Sequence, residues 1–419
     1  MKKMPSPQVR TKQPTRGQVE FKLTSIDDLV SREHIVRALD KVVHRLDMSP
    51  LKKRAKVVGS VGGRPISSPE MLLTLWLYAI TVGVGSAREI ERLTRSDNAF
   101  AWIVGDLSPS HDVIAAFRVD NGEAFSEILA DVLGSLLSQG LLDLDVVGQD
   151  GTRIRASAGA PSFRSAGGLD VCRVHARTHL DAVLNGANDD ELSEKARVAR
   201  EAGARDYAAR VEKAAMAVEA LRTTSKSQEP RASTTDPEAR VMKMAGGAFR
   251  PGYNIQFAVA GKKTGGPRAI VGVRVTNRGS DLSSVGLMLD DISTRLRGRL
   301  PKHVLADSNH FTVAEVEEAH RRGVFLVSPP PKRRRAPGPP NHHDERESEV
   351  LKTWRVKMKL PSTKKLYRQR AALCELANAH LKGTRRIDRL LVRGLPAVTA
   401  FAHLFSLAFT IQQNMKHLF

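Results

Sequence analysis

Cysteine is nearly missing from this chain. Cys172 and Cys374 are its two cysteines, and they form no Cys-x-x-Cys pair. A disulfide framework and a cysteine-built zinc site are therefore excluded, and a reducing compartment fits. The first residues, MKKMPSPQVRTKQPTRGQ, are basic, polar and Pro-rich. They lack the apolar stretch of a signal peptide and read as a flexible arm over residues 1–20. Long apolar runs are scarce too. Residues 71–82 are too short to span a bilayer. Residues 395–411 (LPAVTAFAHLFSLAFTI) are longer but carry Pro396, Thr399, His403 and Ser406. They read as a buried core helix rather than a membrane span. No Walker-type phosphate loop, no dinucleotide fingerprint behind a strand and no internal repeat is present.

Acid is also short relative to base. Lys and Arg number 66 against 45 Asp and Glu, a formal charge of +21. An excess of that size suits a polyanionic partner, because each cation set on a phosphate releases condensed counterions. With 419 residues, 41% of them hydrophobic, the chain is long enough for two or more domains.

Residues 21–140 read as helical. Ile35, Leu39, Val42, Val43 and Leu46 recur at helical spacing. Ser68-Pro69 is an N-cap with a first-turn proline, and Ser86-Ala-Arg-Glu89 is a capping box. Pro109 to Arg118 and residues 125–138 open two more helices. At 141 the pattern turns β-branched and alternating: LDLDVVGQDGTRIRA reads as a strand or hairpin. Residues 253–259 and 269–276 read as two strands joined by a Gly- and Lys-rich turn, and a helix follows near 281–297. Residues 303–328 form a β-α-β unit whose two strands are expected to be parallel. Residues 189–222 are rich in Ala and charge and predict a solvated helix. Residues 329–349, PPPKRRRAPGPPNHHDERESE, read as a basic loop. Helices resume at about 362.

Three acids stand out. Asp150 ends a strand-like run before Gly151, although Asp-Gly is equally the favoured two-residue hairpin turn. Asp307 ends the short strand HVLAD, where acids line the functional edge of an α/β sheet, or else cap a turn. On a helical wheel of 364–387, Glu375 falls on a polar face with Arg368, Ala371, Asn378, Lys382 and Arg386, opposite Leu366, Leu373, His380 and Ile387. That face holds either an ordinary exposed charge or an acid facing a metal, with its cations left for phosphates. Asp143 and Asp145 are rival acids on the strand of Asp150, His342-His343 is a weak metal candidate, and Cys374 reads as a packing residue. Carboxylates on two strand ends and a nearby helix suit a pair of Mg²⁺ ions about 3.5–4 Å apart, which activate one oxygen and stabilise another in phosphodiester chemistry.

Several stretches in order resemble the insertion-sequence-five-like bacterial transposases and their relatives, over roughly residues 20–415. They are GRPISSPEMLLTLWLYAITVGVGSAREIERL, FAWIVGDLSPSHDVIAAFR, DGTRIRASAG, TTDPEARVMKMAGGAFRPGYNIQFAV, VLADSNHF and YRQRAALCELANAHLKGTRRIDRLLVRGL. The last resembles that family's Tyr-Arg-Glu-Lys signature, at Tyr367, Arg370, Glu375 and Lys382.

The resemblance implies an α/β fold with a ribonuclease-H-like catalytic core and a metal-binding triad of Asp150, Asp307 and Glu375 on two Mg²⁺ ions, with Mn²⁺ as a substitute. It implies Tyr367, Arg370 and Lys382 near the DNA at the cut; the polar face adds Arg368 and Arg386 to the DNA-binding set. The implied partner is double-stranded DNA, as the terminal inverted repeats of a mobile element and as its target, bound by a homodimer or higher oligomer on the nucleoid in the cytoplasm and away from membranes. The expected organisation is a basic arm 1–20, a helical DNA-binding domain 21–140 and a catalytic domain 141–419, the last with a helical insertion 178–235 and the loop 329–349. Four features depart from the family pattern: Asn309 and His310 stand where Gly and Tyr are usual, Ala260 stands where Asp is often found, four residues rather than three separate Arg370 from Glu375, and the helix near the C-terminus lacks the usual Ala-His-Asn ending. They leave open a second reading, a DNA-binding protein or repressor that no longer cuts.

Overall fold

The apolar spacing of the first third forms a helical bundle whose starts are set by caps. The structure, a computed structural model, describes residues 24–53, 67–186, 192–224, 229–261, 266–330, 348–385 and 387–418. The basic arm 1–20, most of the loop 329–349 with His342-His343, and Arg386 lie outside these residues. Helices α1 (Ile35–Val43), α2 (Ser49–Lys52), α3 (Pro69–Thr81), α4 (Ala87–Ser96), α5 (Asn98–Val104), α6 (His111–Asp120) and α7 (Gly122–Ser138) follow one another. Ser68, Ser86 and Ser110 each accept a hydrogen bond from the backbone N–H three residues on, at 3.3, 3.3 and 3.4 Å, as N-caps do. Every residue from Leu72 to Ile80 of α3 is buried, so this helix is the bundle's axis.

The pattern change at 141 opens the sheet. Strand β1 (Val146–Arg155) is followed by a short β2 (Phe163–Arg164), helices α8 (Ala166–Leu184) and α9 (Glu194–Thr224), and a short β3 (Ala232–Ser233). Pairing of β2 with β3 closes the base of this helical insertion, and Leu169, Ala214 and Val218 give it a small core of its own. Then come β4 (Arg240–Lys243), β5 (Phe249–Gly261), β6 (Arg268–Thr276), α10 (Val285–Arg295), β7 (His303–Leu305), α11 (Val313–Arg321) and β8 (Phe325–Val327). β1 lies antiparallel to β5, which carries β4 and β6 along its other edge. β7 lies parallel to β1, and β8 parallel to β7. The parallel β-α-β unit of 303–328 is thus as the sequence indicates.

Two expectations change. Asp150-Gly151 is not a turn and does not end its strand: β1 runs through it, with Asp150 paired to Phe257 and Gly151 to Gln256. Nine residues of pairing with β5 outweigh a local turn preference. Helices also resume earlier than 362. Ser348 caps α12 (Glu349–Lys359), and Leu351 and Trp354 are buried, with Trp354 Nε1 donating to the Leu326 carbonyl at 2.7 Å. The stretch expected as one helix over 364–387 is divided into α13 (Pro361–Tyr367), α14 (Gln369–Ala379) and a π-type turn His380–Thr384.

The apolar run near the C-terminus is α15 (Leu395–Asn414). Leu395–His417 is long and apolar enough to cross a membrane, yet most of it is buried. It packs against α3, α6, α7 and β6. Bundle and sheet therefore share one continuous hydrophobic core.

Candidate active site

Parallel pairing of β1 and β7 matches Val146 with His303 and Gly148 with Leu305. Continuing that register by two residues sets Asp307 level with Asp150. Side chains two apart in a strand share a face, and α14 covers this face. A Cβ on Gly148 would lie 2.7 Å from Cys374 Sγ. On the other face, a Cβ on Gly151 would collide with Asp281 Oδ1. Glycine thus brackets Asp150 because a helix and a buried carboxylate press on the strand from its two sides.

The two acids are held differently. Asp150 Oδ1 accepts from its neighbour Gly151 N at 2.9 Å, and Oδ2 from Asn378 Nδ2 at 3.2 Å. Arg370 NH1 stands 3.8 Å from the same Oδ2. Burial pushes the Asp150 carboxyl above the ordinary carboxylate range. Arg370 and the Gly151 amide pull it back, and the charge of Asp307 adds to the rise. Asp307 caps the turn that follows it. Its Oδ1 accepts from Asn309 N at 3.0 Å and from His310 Nδ1 at 2.7 Å, and its Oδ2 from Asn309 Nδ2 at 2.9 Å. Burial raises this carboxyl as well, but the His310 hydrogen bond and charge, with the Asn309 amide and Arg370, bring it below its usual value. His310 is wholly buried. Asn309 and His310, which break the family's pattern, are therefore the two residues that fix Asp307. Ala260 is fully buried opposite Val147, where an Asp would have to be buried with it.

Helix α14 brings part of the signature to these acids. Tyr367, Arg370 and Cys374 all lie within electrostatic reach of Asp307, and Arg370, Cys374 and Lys382 within reach of Asp150. Burial pushes the Cys374 thiol up to about 12. Lys382 is half-buried, and burial together with Arg153 draws its ammonium below the ordinary lysine range, against the opposing pull of Asp150. Glu375 is exposed, one residue along from Cys374, without a hydrogen bond or ion pair among the described residues. Arg368 is exposed at the end of α13. It helps line an open groove of about 510 Å³ with Trp354, Arg355, Lys359, Lys364 and Tyr367.

Asp143 and Asp145 lie just before β1. Asp143 Oδ1 accepts from Asp145 N at 2.7 Å, and Asp145 pairs with Lys302 at 2.8 Å. Cys374, Asn378 and His310 were not singled out as site residues by the sequence. A packing residue, a flanking amide and a departure from a motif give little local signal.

A divalent cation suits the acid pair: two carboxylates, one within β1 and one just past the end of the neighbouring β7, the first pushed up by burial and by its neighbour's charge, gain from a hard cation. The third carboxylate is not gathered in. Among the described residues no group of three or more His, Cys, Asp or Glu side chains could hold a metal ion.

Two family models match the chain. One, described as a transposase domain (DUF772), matches residues 24–120, from the start of the described chain to the end of α6. The other, described as a transposase DDE domain, matches residues 221–411 and includes Asp307 and Glu375. Asp150 falls between the two. No curated protein and no solved structure matches the chain.

Proposed function

Since the chain belongs to the insertion-sequence transposases that carry a DDE domain, we propose that it binds the terminal inverted repeats of its element, cleaves the DNA there and joins the freed 3′-OH to target DNA. The observation that carries this reading is the register of β1 and β7, which sets Asp150 and Asp307 side by side under a helix bearing Arg370 and, beyond it, Lys382. Three antiparallel strands, β6-β5-β1, with β7 and β8 added in parallel beside β1, support a ribonuclease-H-like core.

In this reading Asp150, Asp307 and Glu375 hold two Mg²⁺ ions, or Mn²⁺ in their place. The chemistry that a bound pair supplies is activation of the attacking oxygen and stabilisation of the leaving one. The chain's own part is positional. Gly151 N and Asn378 orient Asp150, and Asn309 and His310 orient Asp307. Glu375, exposed on α14 between Ala371 and Asn378, would have to turn inward to join the two Asp side chains. Tyr367, Arg368, Arg370 and Lys382 serve the DNA backbone, as does Arg386. The protein acts on the nucleoid of the cytoplasm, away from membranes, as a homodimer or larger assembly on double-stranded DNA.

The test is Mg²⁺-dependent nicking of element-end DNA. Asp150→Ala, Asp307→Ala and Glu375→Ala should each abolish it, while Cys374→Ala retains it. Unchanged nicking in all three acid variants sinks the assignment. One observation favours a second reading, a DNA-binding repressor without cleavage: Cys374 rather than Glu375 packs against β1 beside Asp150. That reading requires salt-sensitive DNA binding and no cutting with Mg²⁺ or Mn²⁺; cleavage at an inverted repeat eliminates it.

A further inference from the structure

We propose that Arg370 is a latch that competes with the divalent cation for Asp150 and yields its place when a DNA phosphate draws the guanidinium away. The inference rests on the metal-binding reading of Asp150 and Asp307.

Each carboxylate oxygen of the pair already faces a donor. Asp150 Oδ1 has Gly151 N, and its Oδ2 has Asn378 Nδ2 and Arg370 NH1. Asp307 Oδ1 has Asn309 N and His310 Nδ1, and its Oδ2 has Asn309 Nδ2. A carboxylate oxygen can accept a hydrogen bond and bind a cation at once, so the neutral donors need not leave; what opposes a cation entering between the acids is a positive charge already at the same oxygen. The backbone N–H groups of Gly151 and Asn309 cannot leave without breaking β1 or the turn after Asp307. His310 is wholly buried, and its Nε2 is buried without a partner among the described residues, so it has nowhere to swing. Asn378 is an amide and brings no charge to oppose a cation.

Arg370 is the remaining contact and the loosest. It stands at 3.8 Å, beyond hydrogen-bond range, at the first turn of α14 with its side chain 23% exposed. It is also the group that gains most by moving, since guanidinium matches phosphate geometry. While it stays, it supplies part of the positive charge that a cation would bring. Removing it leaves Asp150 with less competition, so metal binding should strengthen rather than weaken. Because the linkage is reciprocal, DNA and metal would each favour the other's binding. Metal loading in the absence of DNA would then be held down.

The experiment follows Mn²⁺ binding by the loss of the free-ion signal in electron paramagnetic resonance, with the full chain and without turnover. Compared are the unaltered protein, Arg370→Gln, Arg370→Lys and Asp150→Asn, each alone and with a short random-sequence duplex. Arg370→Gln should bind Mn²⁺ about three- to fivefold more tightly than the unaltered protein when DNA is absent, the size of one partly exposed ion pair. Arg370→Lys, which keeps the charge, should stay near the unaltered protein. Duplex should tighten Mn²⁺ binding more in the unaltered protein than in Arg370→Gln. Equal or weaker Mn²⁺ binding by a folded Arg370→Gln overturns the latch, as does an Arg370→Lys that binds as tightly as the amide variant was expected to. Should Arg370→Gln fail to fold, the Lys variant and the duplex dependence of the unaltered protein decide, and absence of any duplex effect overturns the latch. If Asp150→Asn leaves Mn²⁺ binding untouched, the metal-binding reading itself fails, a result distinct from failure of the latch.

Discussion

Gly148 of β1 lies directly beneath Cys374 of α14. A Cβ added at 148 would stand 2.7 Å from the Cys374 sulfur and 2.9 Å from the Leu373 Cβ. The helix that carries Arg370 and Asn378 is therefore seated on the strand two residues before Asp150, with no room for a methyl group. Gly148→Ala should cost about 1–3 kcal/mol by overpacking and lift α14 away from the acids. The loss of DNA nicking should exceed the loss of stability measured by urea denaturation. An alanine variant with unchanged stability and unchanged nicking would show that α14 is not seated as described.

The same seating shields the thiol. Cys374 is 2% exposed, and burial pushes it up to about 12, while Cys172 is partly exposed. The reactive species is the thiolate. Iodoacetamide at mildly alkaline pH should therefore alkylate Cys172 faster than Cys374 by on the order of a hundredfold or more. Mass spectrometry of timed samples gives the ratio. Comparable rates at the two cysteines would mean that α14 exposes Cys374.

How far the sequence could reach is clearest at the three acids. Asp307 was legible because a short apolar strand, a capped helix and a second strand are all local patterns, and they fix its place at a strand end. Asp150 was not, since Asp-Gly serves a hairpin and a strand equally well. What decides it is pairing with β5, about a hundred residues away, and the pressure of Asp281 on Gly151, neither of which any local window contains. The wheel put Glu375 on a polar flank, and it is exposed there. It assumed one unbroken helix, however, while the chain breaks at Arg368 and widens at His380–Thr384. Side-chain spacing alone does not reveal a π-type turn. Cys374, read as a packing residue, does pack, and it does so against the strand of Asp150.

Lys382 gives a prediction about DNA. It is half-buried near Arg153 and Asp150, beyond α14 in the π-type turn. If it meets one phosphate, Lys382→Ala should weaken duplex binding to a similar degree for every DNA sequence. The slope of log affinity against log salt should also fall in magnitude by about 0.9. Fluorescence anisotropy across a salt series measures both. An unchanged slope removes Lys382 from the interface.

A last prediction concerns pH and lies away from the acid pair. Tyr253 of β5 donates its hydroxyl to Asp236 Oδ1 at 2.7 Å, and Gly394 N reaches the same oxygen at 3.2 Å. Asp236 is fully buried, and its Oδ2 has no partner among the described residues. Burial raises its carboxyl above the usual value despite the two donors. The folded state therefore favours the protonated acid. That preference contributes stability below the carboxyl's unfolded pKa, and the contribution is lost as pH rises through the higher folded one. Asp236→Asn keeps an acceptor oxygen for Tyr253 and Gly394 and carries no charge to bury. Its stability relative to the unaltered protein should therefore be greater at pH 7 than at pH 4 by urea denaturation. A difference that is flat with pH, or that grows toward acid, would mean that burial does not raise the Asp236 carboxyl and that its Oδ2 has found a donor.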